Sequence, residues 1–407
     1  MTTPSPQKPT TVLIIGAGFA GLTAAIECVR HGHSVTVLDS FTQLKPLGDI
    51  ISFGHNAGRV FRRWPGVEAA LDPLCHRSKE LVFNRWDGEH VLTQVWEEEE
   101  LEKAGGKKFN GQRGEIHGVV WEYAVSLGVE IRLGERVVEY FEDEREAGVV
   151  VEAAAAADGQ QDKKERKRYT ADAVLAADGV RSTARTIVLG QEDKPKSSGY
   201  AIWRAWFPWV CTHPDTHDVS ESWSAPGRVA DALSLLSAWH PTVRAIVAAT
   251  PPDRLVDWKL VYRDPLPTWV SPLGKIALLG DAAHPFLPTS IQGASQAVED
   301  GVTVAVCLEM AGKGGKKADV REALRAYERI RYDRVRKAQK TGETTRDRWH
   351  KADFDKVLQE PEAVRLPREE WLLGHDAEAH AYAVYGETVE QMRREEGKGG
   401  VDVRSLL

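Results

Sequence analysis

The chain has 407 residues, 42% of them hydrophobic and 28% charged, an ordinary globular composition and more than one domain of about 100–200 residues requires. Its 53 basic and 60 acidic residues give a formal charge of −7, which excludes a global attraction to nucleic acid or to an anionic membrane surface. No run of about 18 apolar residues predicts a membrane span, and the spacing of Cys28, Cys75, Cys211 and Cys307 fits neither a disulfide scaffold nor a metal site, so reduced thiols in a cytoplasmic protein are expected.

Residues 12–15 form an apolar run that predicts a strand. The turn Gly16-Ala17-Gly18-Phe19-Ala20-Gly21 follows, then helical spacing from Phe19 to His31, which Gly32 ends. A second strand covers residues 34–38 and closes on Asp39. This β–α–β unit opens a dinucleotide-binding fold. Its glycines serve a tight turn, close approach to a pyrophosphate, and close helix–strand packing. Asp39 stands where a carboxylate accepts from ribose hydroxyls, and the helix N-terminus faces the phosphates.

Further along, residues 81–96 read as strands around Asp87-Gly88, 113–127 as a helix and 129–133 as a strand. Residues 137–177 read as a β-meander, with the charge run 163–168 in a solvated hairpin loop. Residues 200–210 and 258–263 read as tryptophan-rich strands. Residues 275–279 form a buried strand ending at Gly280-Asp281. Helical spacing then covers 293–310 and 320–339, before a helical tail.

Several segments carry chemistry. A buried strand stops at Asp178-Gly179, followed by Val180, Arg181 and Ser182. Gly280-Asp281-Ala282-Ala283-His284-Pro285 places an aspartate at a strand's carboxyl end, where open α/β sheets bind ligands. In residues 288–297 a helix begins at Gly293 and Ala294, whose free N–H groups suit a developing negative charge. Arg113-Gly114-Glu115-Ile116-His117, the glycine-containing stretch Gly48-Asp49-Ile50, and Trp203-Arg204-Ala205 complete the set.

With these motifs the chain resembles the class A flavoprotein monooxygenases, the family of salicylate hydroxylase and para-hydroxybenzoate hydroxylase. The resemblance implies a Rossmann-type α/β FAD-binding domain with an interleaved smaller β-sheet substrate domain and a helical C-terminal tail. The expected bounds are 9–80, 106–190 and 270–340 for the FAD domain, 81–105 and 191–269 for the substrate domain, and 341–407 for the tail.

The resemblance also implies FAD contacts from Gly16, Gly18, Gly21, Asp39, Gly48, Ile50, Arg113, Asp178, Asp281, Gly293 and Ala294. His284 is expected to be structural. Arg204 would face the active site and hold a phenolate or carboxylate. In the implied cycle NAD(P)H reduces FAD, and oxygen forms a flavin C4a-hydroperoxide. One oxygen atom passes to an aromatic carbon and the other leaves as water. Isoleucine replaces the family's leucine at 116, and Asp49 and Ile50 replace smaller residues.

The stretch between Phe207 and Trp223 is short, where relatives carry further strands over the substrate pocket. A compact variant and a deletion that impairs catalysis both fit this shortening. The alternatives are therefore another FAD oxidoreductase on the same fold, or a flavin-binding chain with impaired catalysis. A flavin-free NAD-dependent dehydrogenase is a third reading.

Overall fold

Four consecutive apolar residues, Val12 to Ile15, can be buried on both faces only within a covered sheet, and the strand Thr11–Ile15 lies at the centre of one. The structure is a computed structural model that describes residues 9–44, 50–96, 99–153, 166–191, 195–205, 209–215, 225–251, 254–287, 290–313, 318–366 and 369–397.

The central sheet has five parallel strands, in the order Ile276–Leu278, Ala173–Ala176, Thr11–Ile15, Ser34–Asp39 and Glu130–Leu133. The chain steps from Thr11–Ile15 to one neighbour through the helix Phe19–Arg30 and reaches the other neighbour much later. That reversal opens a crevice at the strands' carboxyl ends. The helices Phe19–Arg30 and Gly293–Ala311 pack closely together, because Gly301 leaves room where a β-carbon would lie 2.6 Å from the Ala24 nitrogen.

An antiparallel sheet of Glu135–Glu142, Ala147–Ala153 and Arg166–Ala171 packs beside the parallel one. The expected meander is thus three strands. Ala173–Ala176 leaves it to pair with Thr11–Ile15, since all four of its residues are apolar and buried. Residues 154–165, with the first half of the charge run expected in a loop, lie outside the described residues, whereas Arg166, Lys167 and Arg168 of that run lie in the strand Arg166–Ala171 and not in the loop.

A second antiparallel sheet runs Val210–Pro214, Lys196–Ala205, Leu255–Tyr262. Ala201, Trp203 and Ala205 alternate onto one face, where Trp203 and Ala205 pack with Ala232, Leu236 and Val247. Those three come from the helices Val229–Leu235 and Pro241–Ala248 and the residue that ends the first, in a stretch where no helix was expected. The α/β architecture with a smaller β-sheet unit and C-terminal helices agrees with expectation.

Two details differ. Among the described residues the strands Glu80–Asn84 and His90–Val95 pair only with each other, and the hairpin meets the smaller unit through its turn, where the Trp86 carbonyl accepts from the His240 N–H at 2.9 Å. Its apolar face meets Val357 and Val364, and Gln94 exchanges hydrogen bonds of 3.0 and 2.9 Å with the backbone of Leu366. The charged helix is also longer than its periodicity suggested, spanning Val320–His350, and the short helices Phe354–Val357 and Glu370–Leu373 precede Ala377–Gly397.

The helix Gly293–Ala311 carries Glu299 and Asp300 into the interior, both fully buried. Arg331 pairs with both, reaching Asp300 at 2.8 Å, and Arg334 grips Glu299 with two bonds of 2.7 Å. Burial opposes the Glu299 charge, but Arg331 and Arg334 outweigh it and hold the carboxyl well below the usual range. Asp300 is likewise held down, by His284 and Arg331 against burial. Arg331→Met would leave these carboxylates undercompensated, and the variant should lose about 3–5 kcal/mol of stability in chemical denaturation. A loss below about 1 kcal/mol would show that the ion pairs do not hold these helices together.

Candidate active site

The crevice is assembled from loops that leave neighbouring strands. Gly16 has a φ of 100°, and a β-carbon there would overlap the Ala177 carbonyl oxygen, so this loop and the Asp178 loop lie in contact. A β-carbon on Gly21 would overlap the Gly16 carbonyl. Gly18 differs. Its φ is −74° and no atom lies within 4 Å of where its β-carbon would be. It precedes the helix Phe19–Arg30, whose N-terminus no side chain caps among the described residues.

Asp39 braces this turn, its two carboxylate oxygens accepting from the N–H of Ala17 at 2.7 Å and of Phe41 at 2.8 Å. Each oxygen keeps a lone pair for a ligand hydroxyl. On the other side His117 Nε2 lies 2.6 Å from the Ala17 carbonyl. Burial lowers the His117 pKa, though the Ala17 hydrogen bond opposes that. Arg113 opens the same helix, Arg113–Ser126, with its guanidinium 5.7 Å from the Phe19 ring centroid.

Asp178 follows the strand Ala173–Ala176. One carboxylate oxygen accepts from the Tyr140 hydroxyl and the Thr183 N–H, both at 3.0 Å. The other oxygen is buried and has no hydrogen-bond partner among the described residues, as is the Ser182 hydroxyl. Buried polar atoms left in this state mark a place for a ligand or water.

Asp281 follows the strand Ile276–Leu278. Arg185, fully buried, donates to the backbone oxygens of Asp281 at 2.6 Å, Ala282 at 2.8 Å and Val180 at 2.7 Å. It thereby ties the Asp178 and Asp281 loops together. Burial raises the Asp281 pKa, against the nearby His284, Arg185, Arg113 and Arg263. His284 bonds Asp300 at 2.5 Å, and the Gly280 N–H donates to the same carboxylate oxygen at 2.9 Å. In this place His284 shapes the turn.

Gly293 and Ala294 begin the helix Gly293–Ala311, and no side chain caps its N-terminus among the described residues. Ile291, just before it, has a φ of 53°, a strained conformation for a β-branched residue that the sequence did not signal. Ile50 opens the strand Ile50–Phe53, half-exposed and paired with Gln112, next to Arg113. Gly48, Asp49, Pro288 and Thr289 lie outside the described residues. Position 204 lies on the smaller sheet, its backbone in register with Val210 and Val256.

An elongated dinucleotide fits what is present. The open approach at Gly18 suits a pyrophosphate. The orphaned oxygens of Asp178 and Ser182 offer partners, and two uncapped helix N-termini offer N–H groups for negative charge.

Comparison with known proteins agrees. Residues 9–225 match the family model described as an FAD binding domain. The asperlicin C monooxygenase of Petromyces alliaceus is 34% identical over 97% of this chain and 92% of its own length. The chain belongs to the class A FAD-dependent monooxygenases.

Among solved structures, CtdE in complex with FAD and its substrate 4 is 33% identical with a TM-score of 0.82, covering 94% of this chain and 100% of that one. FqzB is 33% identical at a TM-score of 0.81, with 97% of each chain covered. Salicylate hydroxylase, at 21% identity and a TM-score of 0.68 over 92% of this chain and 97% of that one, shares the fold. The alignment with the asperlicin C monooxygenase runs over 448 positions, more than the 407 residues of this monooxygenase, so the relative has segments that this chain lacks. No described helix is long and apolar enough to cross a membrane.

The glycine geometry separates binding from folding. Gly18→Ala should fold with an unchanged apoprotein melting temperature but retain FAD poorly. Gly21→Ala should lower the melting temperature of the apoprotein itself. Thermal melts beside flavin absorbance check both, and equal melting losses would contradict the assignment.

Proposed function

We propose that this FAD-dependent monooxygenase uses NAD(P)H and oxygen to hydroxylate a phenolic or benzoate-type aromatic, in a secondary-metabolic setting like that of its named relatives. The reading is carried by one observation: the Gly16 turn, Asp39, Asp178 and Asp281 all sit at carboxyl ends of adjacent parallel strands.

In this reading Gly16, Gly18 and Gly21 form the pyrophosphate turn, and Asp39 takes the ribose hydroxyls. Asp178 and Asp281 hold the middle of the dinucleotide, with Arg113 beside Asp281. Gly48 and Ile50 lie against the ring system, and the N–H groups of Gly293 and Ala294 stabilise negative charge on it. Bound FAD supplies hydride acceptance and oxygen activation. The protein's part is to orient the ring, exclude water and hold the substrate.

Arg204 is the substrate anchor. Strand alternation places position 204 on the face of Tyr200 and Ile202, opposite the face covered by the two helices. A guanidinium there would pair with a phenolate or carboxylate, keeping the aromatic ring electron-rich.

The similarity to the asperlicin C monooxygenase supports a second reading, in which the substrate is of that compound's kind. The relative's additional segments support a third, a flavin-binding chain with impaired turnover. Oxygen uptake and NAD(P)H oxidation against phenols, benzoates and asperlicin C separate them. The proposal expects consumption stimulated by a phenol or benzoate, with a hydroxylated product. Stimulation by asperlicin C alone supports the second reading, and none by any aromatic supports the third.

Asp281→Ala should weaken FAD retention, whereas Arg204→Ala should keep the flavin and reduce turnover by roughly tenfold or more. Equal flavin loss in both variants would contradict this division of roles.

A further inference from the structure

A groove of about 450 Å³ lies outside the crevice just described. Pro285 and Leu287 form one wall, in the segment that links the Asp281 turn to the helix N-terminus at Gly293. The long helix Val320–His350 forms the opposite wall, and Ser197 and Tyr200 of the smaller sheet line it as well. The helix is pressed onto the linking segment, since a β-carbon on Gly342 would lie 2.6 Å from that of Ser290.

The chemistry of this groove differs from that of an aromatic-substrate pocket. Small-molecule sites are mostly apolar with a few fixed polar groups. Here the walls present Arg263, Arg336, Arg346 and Lys351 against two carboxylates, Glu343 and Asp347. Asp347 is already paired with Arg346 at 2.6 Å and Lys351 at 3.0 Å, and Glu343 with Lys340 at 3.4 Å. Arg336 donates to the Gln339 side-chain oxygen at 2.5 Å and has no carboxylate partner among the described residues. A half-buried guanidinium bonded only to a neutral amide keeps donors for an anion.

The sequence also holds one Gly-x-Gly-x-x-Gly turn of the strand-to-helix kind, and the proposed function assigns it to FAD. A nicotinamide co-substrate must therefore dock on a surface not built as a second βαβ unit, yet close enough to reach the flavin. The groove adjoins the segment that leads to Gly293, and its size lies within the range of about 300–1,000 Å³ typical of ligand clefts.

We propose that this groove receives the phosphate-bearing part of NAD(P)H, with Arg336 as its principal anion partner. The proposal rests on the NAD(P)H use put forward above. A carboxylate on the substrate is the other source of an anion of this chemistry, and the test distinguishes the two.

The experiment uses FAD-loaded wild-type enzyme and its Arg336→Gln, Arg336→Lys and Ser197→Trp variants. NADH and NADPH affinities come from saturation of the anaerobic flavin-reduction rate. Substrate affinity comes from perturbation of the flavin spectrum.

Arg336→Gln should weaken nucleotide binding roughly tenfold, with FAD content, reoxidation after dithionite reduction and substrate affinity unchanged. Arg336→Lys should recover part of the loss, and added salt should weaken the wild type more than Arg336→Gln. Ser197→Trp, which fills the groove from another element, should weaken nucleotide binding too. A loss of substrate affinity with nucleotide affinity intact would assign the groove to the substrate and overturn the proposal. Unchanged affinities in Arg336→Gln and Ser197→Trp would also overturn it. Failure of the underlying function would look different, as wild-type flavin that neither nucleotide reduces.

Discussion

A buried guanidinium, that of Arg185, holds the site in shape. It carries its charge in the interior and donates to the carbonyls of Val180, Asp281 and Ala282. Those carbonyls lie in two loops that leave neighbouring strands, and backbone pairing between Ala173–Ala176 and Ile276–Leu278 ends just before them. Without the guanidinium, up to three carbonyls would lose their partner at the point where Asp178 and Asp281 must face one ligand. Unsatisfied buried groups cost about 1–3 kcal/mol each, so the clamp selects one arrangement of the two loops.

A second layer supports the first from behind. Asp300 bonds both the Gly280 N–H and His284, so the helix beginning at Gly293 also fixes the turn that presents Asp281. Glu299 reaches Asn56 at 2.6 Å, and Arg334 continues to the carbonyls of Trp371 and Leu372. One polar network thus joins the segment after Phe53, the helix facing the crevice, the long helix and the C-terminal segment. A shift in any of these elements would disturb buried charges, which favours a rigid FAD site.

Much of this was legible in the sequence. Gly16, Gly18 and Gly21 could be read because backbone contacts at Gly16 and Gly21 exclude a β-carbon, and the open approach at Gly18 is where a ligand would pass. Asp39, Asp178 and Asp281 could be read because each closes or follows a strong apolar strand. Arg185 could not. It is the second residue of the short helix Ala184–Leu189, and nothing local tells a buried arginine from an exposed one. Glu299 and Asp300 were equally silent, because their partners Arg331 and Arg334 lie more than thirty residues away. The partners of the hairpin Glu80–Asn84/His90–Val95 were not legible, because alternation shows that a face is covered but not by which element. Ile291 gave no signal at all, since its left-handed backbone contradicts its own propensity.

The most direct test of this account is the FAD content of the purified Arg185→Met variant, measured by flavin absorbance beside that of the wild type. Methionine keeps the bulk of the side chain and removes its donors. The account predicts a yellow wild type with one flavin per chain, and a folded variant that has lost most of its flavin and regains little when FAD is supplied in excess. Full flavin occupancy in the variant, at wild-type affinity, would contradict it.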